Sequence, residues 1–246
     1  MLHDAIRAFV GTAQPELIVA TGDLTHRGRA AQHDRAAAFL NGLGPPVMAV
    51  PGNHDIPYSF PARFTHPWRE FERLWHTTEP VHSTPGVHLV GVNSVRPWRH
   101  QSGGVGDAQL ARVTQRLAEA PAGALRVVAL HHQLIGAPWR TRKRPVARRN
   151  HVLASFVDGG AELILGGHIH QATVTERHEF EVLDGGTRGI VLSIAPGLSR
   201  PRPHRRGEAC GCVLYRAADD SITVETFIWS GGEWQDVAVR TFPRGR

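Results

Sequence analysis

Along the chain, the spacing of apolar positions switches repeatedly between a helical period and short apolar runs bounded by turn residues. Residues 3–12 read as an amphipathic helix with Ile6, Phe9 and Val10 on one side, and 16–20 as a buried strand that stops at Thr21-Gly22-Asp23. An Ala-rich helix over 30–43 leads to a strand at 47–50 and the loop Pro51-Gly52-Asn53-His54-Asp55. A helix is predicted over 68–75, with Pro67 at its first turn, then a strand at 87–92. Residues 107–120 form the next helix, with Asp107 as its N-cap and Leu110, Val113 and Leu117 on one face. A strand at 125–130 ends at His131-His132, a helix follows over 146–157, and a strand at 162–165 ends in Gly166-Gly167-His168-Ile169-His170. The remainder is strand-rich: 174–176, 179–183, 189–195, 210–216, 221–229 and 234–240, with a Pro/Arg-rich loop at 199–206. Alternating helices and strands predict an α/β layered fold. No repeat or boundary divides the chain, so residues 1–246 are expected to form a single domain.

Four buried-type strands thus stop at polar clusters able to bind metal: Gly22-Asp23, Gly52-Asn53-His54-Asp55, His131-His132 and Gly167-His168-Ile169-His170. In open α/β sheets ligands gather at the carboxyl ends of strands, so these clusters are placed to converge. Taken singly, each is weak: an Asp after a strand is most often a turn residue, and a single His an ordinary half-buried one. Their joint occurrence after successive strands favours a metal site.

In type, order and placement, these motifs resemble the calcineurin-like metallophosphoesterases, whose pattern is Asp-x-His, Gly-Asp, Gly-Asn-His-Asp/Glu, a His, and Gly-His-x-His. The resemblance implies a two-sheet mixed β-sandwich flanked by helices, with metals at one edge. It also implies two divalent or trivalent ions, Mn or Fe ahead of Zn or Co, joined by a bridging carboxylate from Asp23. One ion would be held by Asp23, Asn53, His131 and His168, the other by Asp23, His170 and the family's first motif. His131 is preferred to His132 because it directly follows the strand. His168 and His170, two apart, would face alike on an extended segment. A hydroxide bridging the ions would attack phosphorus, His54 would protonate the leaving oxygen, and Asp55 would orient His54.

The family's first motif has no counterpart, because Leu2-His3-Asp4 carries the letters in the wrong order at a helix start. The resemblance therefore implies an inner strand ending in Asp-x-His ahead of Met1, with a misassigned start preferred to a truncation or a fragment. Within the family, Gly22-Asp23-Leu24-Thr25-His26-Arg27-Gly28 looks like the cyclic-nucleotide phosphodiesterases. The expected substrate is a small phosphate ester, a cyclic nucleotide foremost, with nucleic acid and lipid headgroups open. The rival class is a non-catalytic module that keeps the fold without two metals; an intact His54-Asp55 pair argues against it.

Among other residues, His26 is the histidine best placed to touch substrate, while Asn93 and Arg96 are expected to be structural. The basic run Arg140 to Arg144 reads as a solvated loop before an anion holder. Cys210 and Cys212, an i, i+2 pair, suit neither a disulfide nor a zinc site. Composition adds little: 41% hydrophobic and 20% charged residues describe a globular chain. The net charge of +6 fits either anionic substrates or a genomic bias toward Arg. No apolar run is long enough to span a membrane and no signal pattern opens the chain, so a cytoplasmic location is expected.

Overall fold

Strands apolar at every position must be covered on both faces, and the central strands here carry that pattern. The computed structural model of the chain describes residues 2–99, 101–139, 141–180, 187–199, 201–202 and 205–244, with backbone alone over 176–180 and 187–188. In order, the elements are α1 (Leu2–Ala13), β1 (Ile18–Ala20), α2 (Ala30–Asn41), β2 (Val47–Ala49), α3 (Ala62–Thr65), α4 (Arg69–Trp75), β3 (Val81–Ser83) and β4 (Val87–Val92). There follow α5 (Asp107–Ala118), β5 (Leu125–Leu130), α6 (Arg149–Asp158), β6 (Leu163–Gly166), β7 (Thr173–Phe180), β8 (Thr187–Ile194), β9 (Gly211–Ala217), β10 (Ser221–Ser230) and β11 (Glu233–Pro243).

A six-stranded sheet of order β3-β4-β5-β6-β8-β7 forms the centre, with β4, β5, β6 and β8 mutually parallel and antiparallel strands at both edges. Alternate residues go to opposite faces. Val90, Val92, Val128, Leu130 and Ile164 pack against Leu110, Val113 and Leu117 of α5 and Val152 and Phe156 of α6. Leu89, Val127, Ala129, Leu163 and Leu165 face the other way, onto Met48 of β2 and onto Ile222, Val224 and Phe242 of β10 and β11. That second β layer has two parts, a parallel β1-β2 pair and an antiparallel β11-β10-β9 sheet. Phe9 of α1 packs on Phe227 and Trp234, outside the second layer. The expected α/β sandwich of two β layers between helices is therefore the observed fold, the second layer being divided in two.

Four local expectations differ. Gly106, not Asp107, is the N-cap of α5, because the Asp107 carboxylate is drawn to Arg148 at 2.8 Å and His151 at 3.0 Å beside α6. The strands read at 174–176 and 179–183 join as one, β7, paired along β8 from Thr173 to Phe180; residues 181–183 lie outside the described ones. Helix α6 begins at Arg149, three residues later than read. Strand β3 was not read, since Val81-His82-Ser83 is too short and polar to carry a period.

The strand ends matter most. β1, β2, β5 and β6 run parallel within their sheets and release their chains at one edge, where the four polar clusters meet.

Candidate metal centre

Each candidate ligand sits on the residue or turn that directly follows a strand. Asp23 follows the Gly22 turn after β1, Asn53 follows β2, His131 is the first residue after β5, and His168 follows β6. Gly22 (φ 89°), Asp23 (57°), His168 (67°) and His170 (57°) all adopt left-handed backbone. For the last three this costs about 1–3 kcal/mol each, the kind of strain that gathers at functional sites. The expectation that His168 and His170 lie on an extended segment is corrected by these angles: the turn aims their rings separately.

The hydrogen bonds of the buried histidines fix what their rings can offer. His131 Nδ1 lies 2.8 Å from the Thr21 carbonyl oxygen, and His168 Nε2 lies 3.1 Å from that of Gln101. A carbonyl only accepts, so these nitrogens carry the protons. The remaining nitrogens, His131 Nε2 and His168 Nδ1, are then bare and lie 3.0 Å apart. His131 Nε2 also faces Asn53 Oδ1 at 3.2 Å and Asp23 Oδ1 at 3.4 Å. Four lone-pair donors converging on one point repel one another unless a cation stands between them. Two imidazoles, one amide oxygen and one carboxylate suit Mn, Fe, Zn or Co.

Burial reinforces this. It pushes the imidazoles of His131, His132 and His168 below their ordinary range, His132 and His168 well below, and so keeps them neutral. Burial alone would raise Asp23, but the polar and cationic groups around it, the His131 and His54 side chains, the His54 amide and Lys143, together hold its carboxyl below the usual range. Neutral imidazole and ionised carboxylate are the ligating forms.

His132 stands in the same cluster of histidines. Its Nδ1 meets the Ser94 hydroxyl at 2.9 Å, which leaves His131 as the ring that faces Asp23 and Asn53. His170 lies apart. Its ring packs against Gly197, its carbonyl accepts from the Ala209 amide at 3.1 Å, and burial with the charge of Lys143 lowers it to about 4. Of the residues expected at a second ion, Asp23 and His170 lie close enough for the Asp23 charge to act on the His170 ring. His3 and Asp4 are engaged on α1, against Phe39 and Arg7.

His54 and Asp55 do not form the expected pair. Asp55 accepts from the amides of Thr25 and Gly52, both at 2.8 Å, and fastens the two loops that carry Asp23 and Asn53. Burial and the nearby Asp23 charge push its carboxyl up to about 7. The His54 ring is oriented instead by the His26 carbonyl, 3.0 Å from Nδ1, and stacks on the His26 ring at 5.7 Å. The expectation that Asp55 orients His54 is thus corrected: its carboxylate is taken up by the Thr25 and Gly52 amides.

Lys143 was missed. Read as part of a solvated run, it is half-buried, and its ammonium donates to the His168 carbonyl. Asn93 and Arg96 are structural as expected: the amide oxygen of Asn93 accepts from Val95, and Arg96 binds Gln109 at 2.7 Å.

Two consequences can be measured. A Cβ at Gly52 would fall on the amide and carboxylate of Asp23. Gly52→Ala should therefore destabilise by about 1–3 kcal/mol, the usual range for overpacking, and weaken metal uptake; a variant with wild-type unfolding midpoint and metal content contradicts this packing. The second concerns pH. Below about 6.5 the unfolded chain takes up protons that the lowered histidines of the folded chain refuse, so stability falls as pH falls. Each refused proton contributes up to about 1.4 kcal/mol per pH unit. Asp55, raised to about 7, acts with opposite sign between about 4 and 7 but is a single group against several. The metal-free protein should melt lower at pH 5 than at pH 7.5; a flat or rising melting temperature would mean that the imidazoles are charged in the fold.

Comparison with known proteins agrees with the geometry. A cyanobacterial (Synechococcus) protein named "probable cyclic nucleotide phosphodiesterase" is 32% identical over 170 residues, 66% of this chain and 61% of that one. A Rhodococcus erythropolis protein of the same name is 28% identical over 234 residues, 90% of this chain and 73% of that one. The matches thus span 61% and 41% of the first two relatives' lengths, those from Synechococcus and Rhodopseudomonas palustris. Among solved structures, a dimetal phosphatase of Danio rerio superposes with a TM-score of 0.67 at 15% identity, covering 98% of this chain and 88% of that one. The profile of the calcineurin-like phosphoesterases matches residues 2–172. That stretch takes in each strand end that carries a candidate ligand, and the chain belongs to the calcineurin-like phosphoesterase family.

Proposed function

We propose that this chain is a single-domain, metal-dependent hydrolase of small phosphodiesters, with cyclic nucleotides as the first substrates to test. The observation that carries the reading is the pair of bare imidazole nitrogens 3.0 Å apart, facing the oxygens of Asp23 and Asn53. The names of the relatives support the substrate class.

Asp23, Asn53, His131 and His168 would hold an ion. Asp23 is itself fixed by the His54 amide, 3.0 Å from Oδ1, and His131 by the Thr21 carbonyl. When bound, the ion supplies Lewis acidity and an activated water for attack on phosphorus. His54 has Nδ1 committed to the His26 carbonyl, which leaves Nε2 to face the substrate. In its protonated form it gives the Nε2 proton to the leaving oxygen as the phosphorus–oxygen bond breaks. Hydrolysis of a cyclic diester thus consumes one water and yields a phosphomonoester.

The test is turnover of 3′,5′-cyclic AMP, a bis-aryl phosphodiester and an aryl phosphomonoester by Mn²⁺-loaded protein. Hydrolysis of the diesters, favoured over the monoester, is expected. Metal uptake without hydrolysis of any of the three would overturn the reading and make the chain a non-catalytic module.

A further inference from the structure

A phosphodiester brings more to the metal edge than its phosphate, because whatever is bonded to the leaving oxygen must lie beside the group that protonates it. Next to the His54 ring stands that of Tyr58, further along the same loop, with centroids 6.0 Å and planes 32° apart. The Tyr58 side chain is 52% exposed, and Trp98, on the loop after β4, is 68% exposed. Single exposed apolar side chains are ordinary and need no explanation. These two differ in how their backbones are held.

Arg63 of α3 is buried, and a buried guanidinium is costly unless its donors are taken up. Its Nε donates to the Pro97 carbonyl at 2.7 Å, one terminal nitrogen to that of Pro57 at 3.1 Å, and the other to that of Arg99 at 3.5 Å. Pro57 and Pro97 are the residues directly before Tyr58 and Trp98. One side chain therefore grips both turns at the peptide that launches each exposed ring.

Both turns are also fixed to the candidate centre. Ile56 is fully buried, and the Asp55 carbonyl meets His33 Nε2 at 3.0 Å. A Cβ at Gly28 (φ 60°) would strike the Ile56 carbonyl, so the loop that carries His26 closes on this segment only with glycine there. On the other loop, the Gln101 carbonyl accepts from His168 Nε2 at 3.1 Å. Two solvent-facing aromatic rings are thus held by one clasp, one beside His54 and the other on a loop bonded to a candidate ligand.

We propose that Tyr58 and Trp98 form a stacking platform for the base of a cyclic mononucleotide, placed by Arg63 so that the leaving oxygen of the sugar falls at His54. This deepens the phosphodiesterase reading and rests on it. A planar base suits the place because every base has a face that stacks on an aromatic ring. A ring left open to solvent also has its full apolar face to bury when the ligand arrives. The platform favours nucleotides over base-free phosphate esters and discriminates little between one base and another.

The test uses the full chain loaded with Mn²⁺ and compares, by calorimetry, the binding of 5′-AMP and of ribose 5-phosphate, which lacks the base. Wild type should bind 5′-AMP about 5- to 150-fold more tightly, the range for one base–aromatic stack. Tyr58→Ala should lose most of that preference, with metal content and affinity for ribose 5-phosphate unchanged. Tyr58→Phe should keep it, and Trp98→Ala should lose a smaller part. Arg63→Lys keeps the charge but cannot span three carbonyls, so it should lose the preference and retain the base-free affinity. No preference in the wild type, or one undiminished in both Tyr58→Ala and Trp98→Ala, overturns the proposal. So does sedimentation with phosphatidylglycerol vesicles that depends on the two rings in place of a base preference, which would assign them to a lipid surface. The hydrolase reading is scored apart. A base preference without turnover of 3′,5′-cyclic AMP keeps the platform and discards the hydrolase, whereas turnover without a base preference does the reverse.

Discussion

Asp23→Ala is expected to strip the protein of tightly bound metal and abolish diester hydrolysis, with a loss larger than that of any other single substitution. Asp23 is the anion of the donor cluster, since the other three groups are neutral imidazoles and a neutral amide. Removing it leaves a divalent charge among dipoles alone. Its Oδ1 also accepts from the His54 amide, so the substitution releases the residue proposed to protonate the leaving group. The loss should exceed the roughly 10- to 100-fold typical of residues that only support a metal ligand. Asn53→Ala, which removes one neutral oxygen, should lower metal affinity but keep measurable uptake. The check is elemental analysis after dialysis, with turnover of a bis-aryl phosphodiester. Equal metal content in Asp23→Ala and wild type would show that the ion is held elsewhere. Circular dichroism guards against simple misfolding.

Much of this cluster was legible in the sequence because its parts are local. Asn53 and His168 follow strands that are short apolar runs, and their glycine-flanked motifs announce turns. What was not legible depends on partners far along the chain. Asp55 looked like the partner of His54 because the two are adjacent, but adjacent side chains on a turn diverge, and the carboxylate found the Thr25 and Gly52 amides instead. Lys143 looked solvated because it sits among arginines. Its burial is decided by Gln171 and Gln133, whose roles as loop anchors leave no mark in a local pattern. His168 and His170 looked extended because His-Ile-His alternates. The strained backbone that turns them is held by the tertiary bonds of the edge, such as that from the Gly167 amide to the His131 carbonyl at 3.0 Å. The division of the second β layer is likewise a matter of long-range pairing, where period-2 patterns say which face is buried but not which strand is neighbour.

His54→Ala should leave metal content unchanged while lowering turnover of substrates with alkoxide leaving groups. His54 lies outside the donor cluster: it touches Asp23 through its backbone amide, which alanine retains, and its ring is held by the His26 carbonyl and stacked on His26. Loss of a general acid costs about 100- to 10,000-fold, and the cost depends on how much the leaving oxygen needs a proton. For 3′,5′-cyclic AMP the departing group is a sugar alkoxide, which is strongly basic, so the loss should fall near the top of that range. An aryl leaving group bears its own charge more readily, so the loss for a bis-aryl phosphodiester should be several-fold smaller at least. Equal losses for alkyl and aryl esters would remove the acid role and leave His54 as a residue that positions the Asp23 carboxylate. His26→Ala separates the two further. If the His26 backbone alone orients His54, that variant should keep most of the alkyl-ester rate, whereas a loss matching His54→Ala would mean that the stacked rings act as one unit.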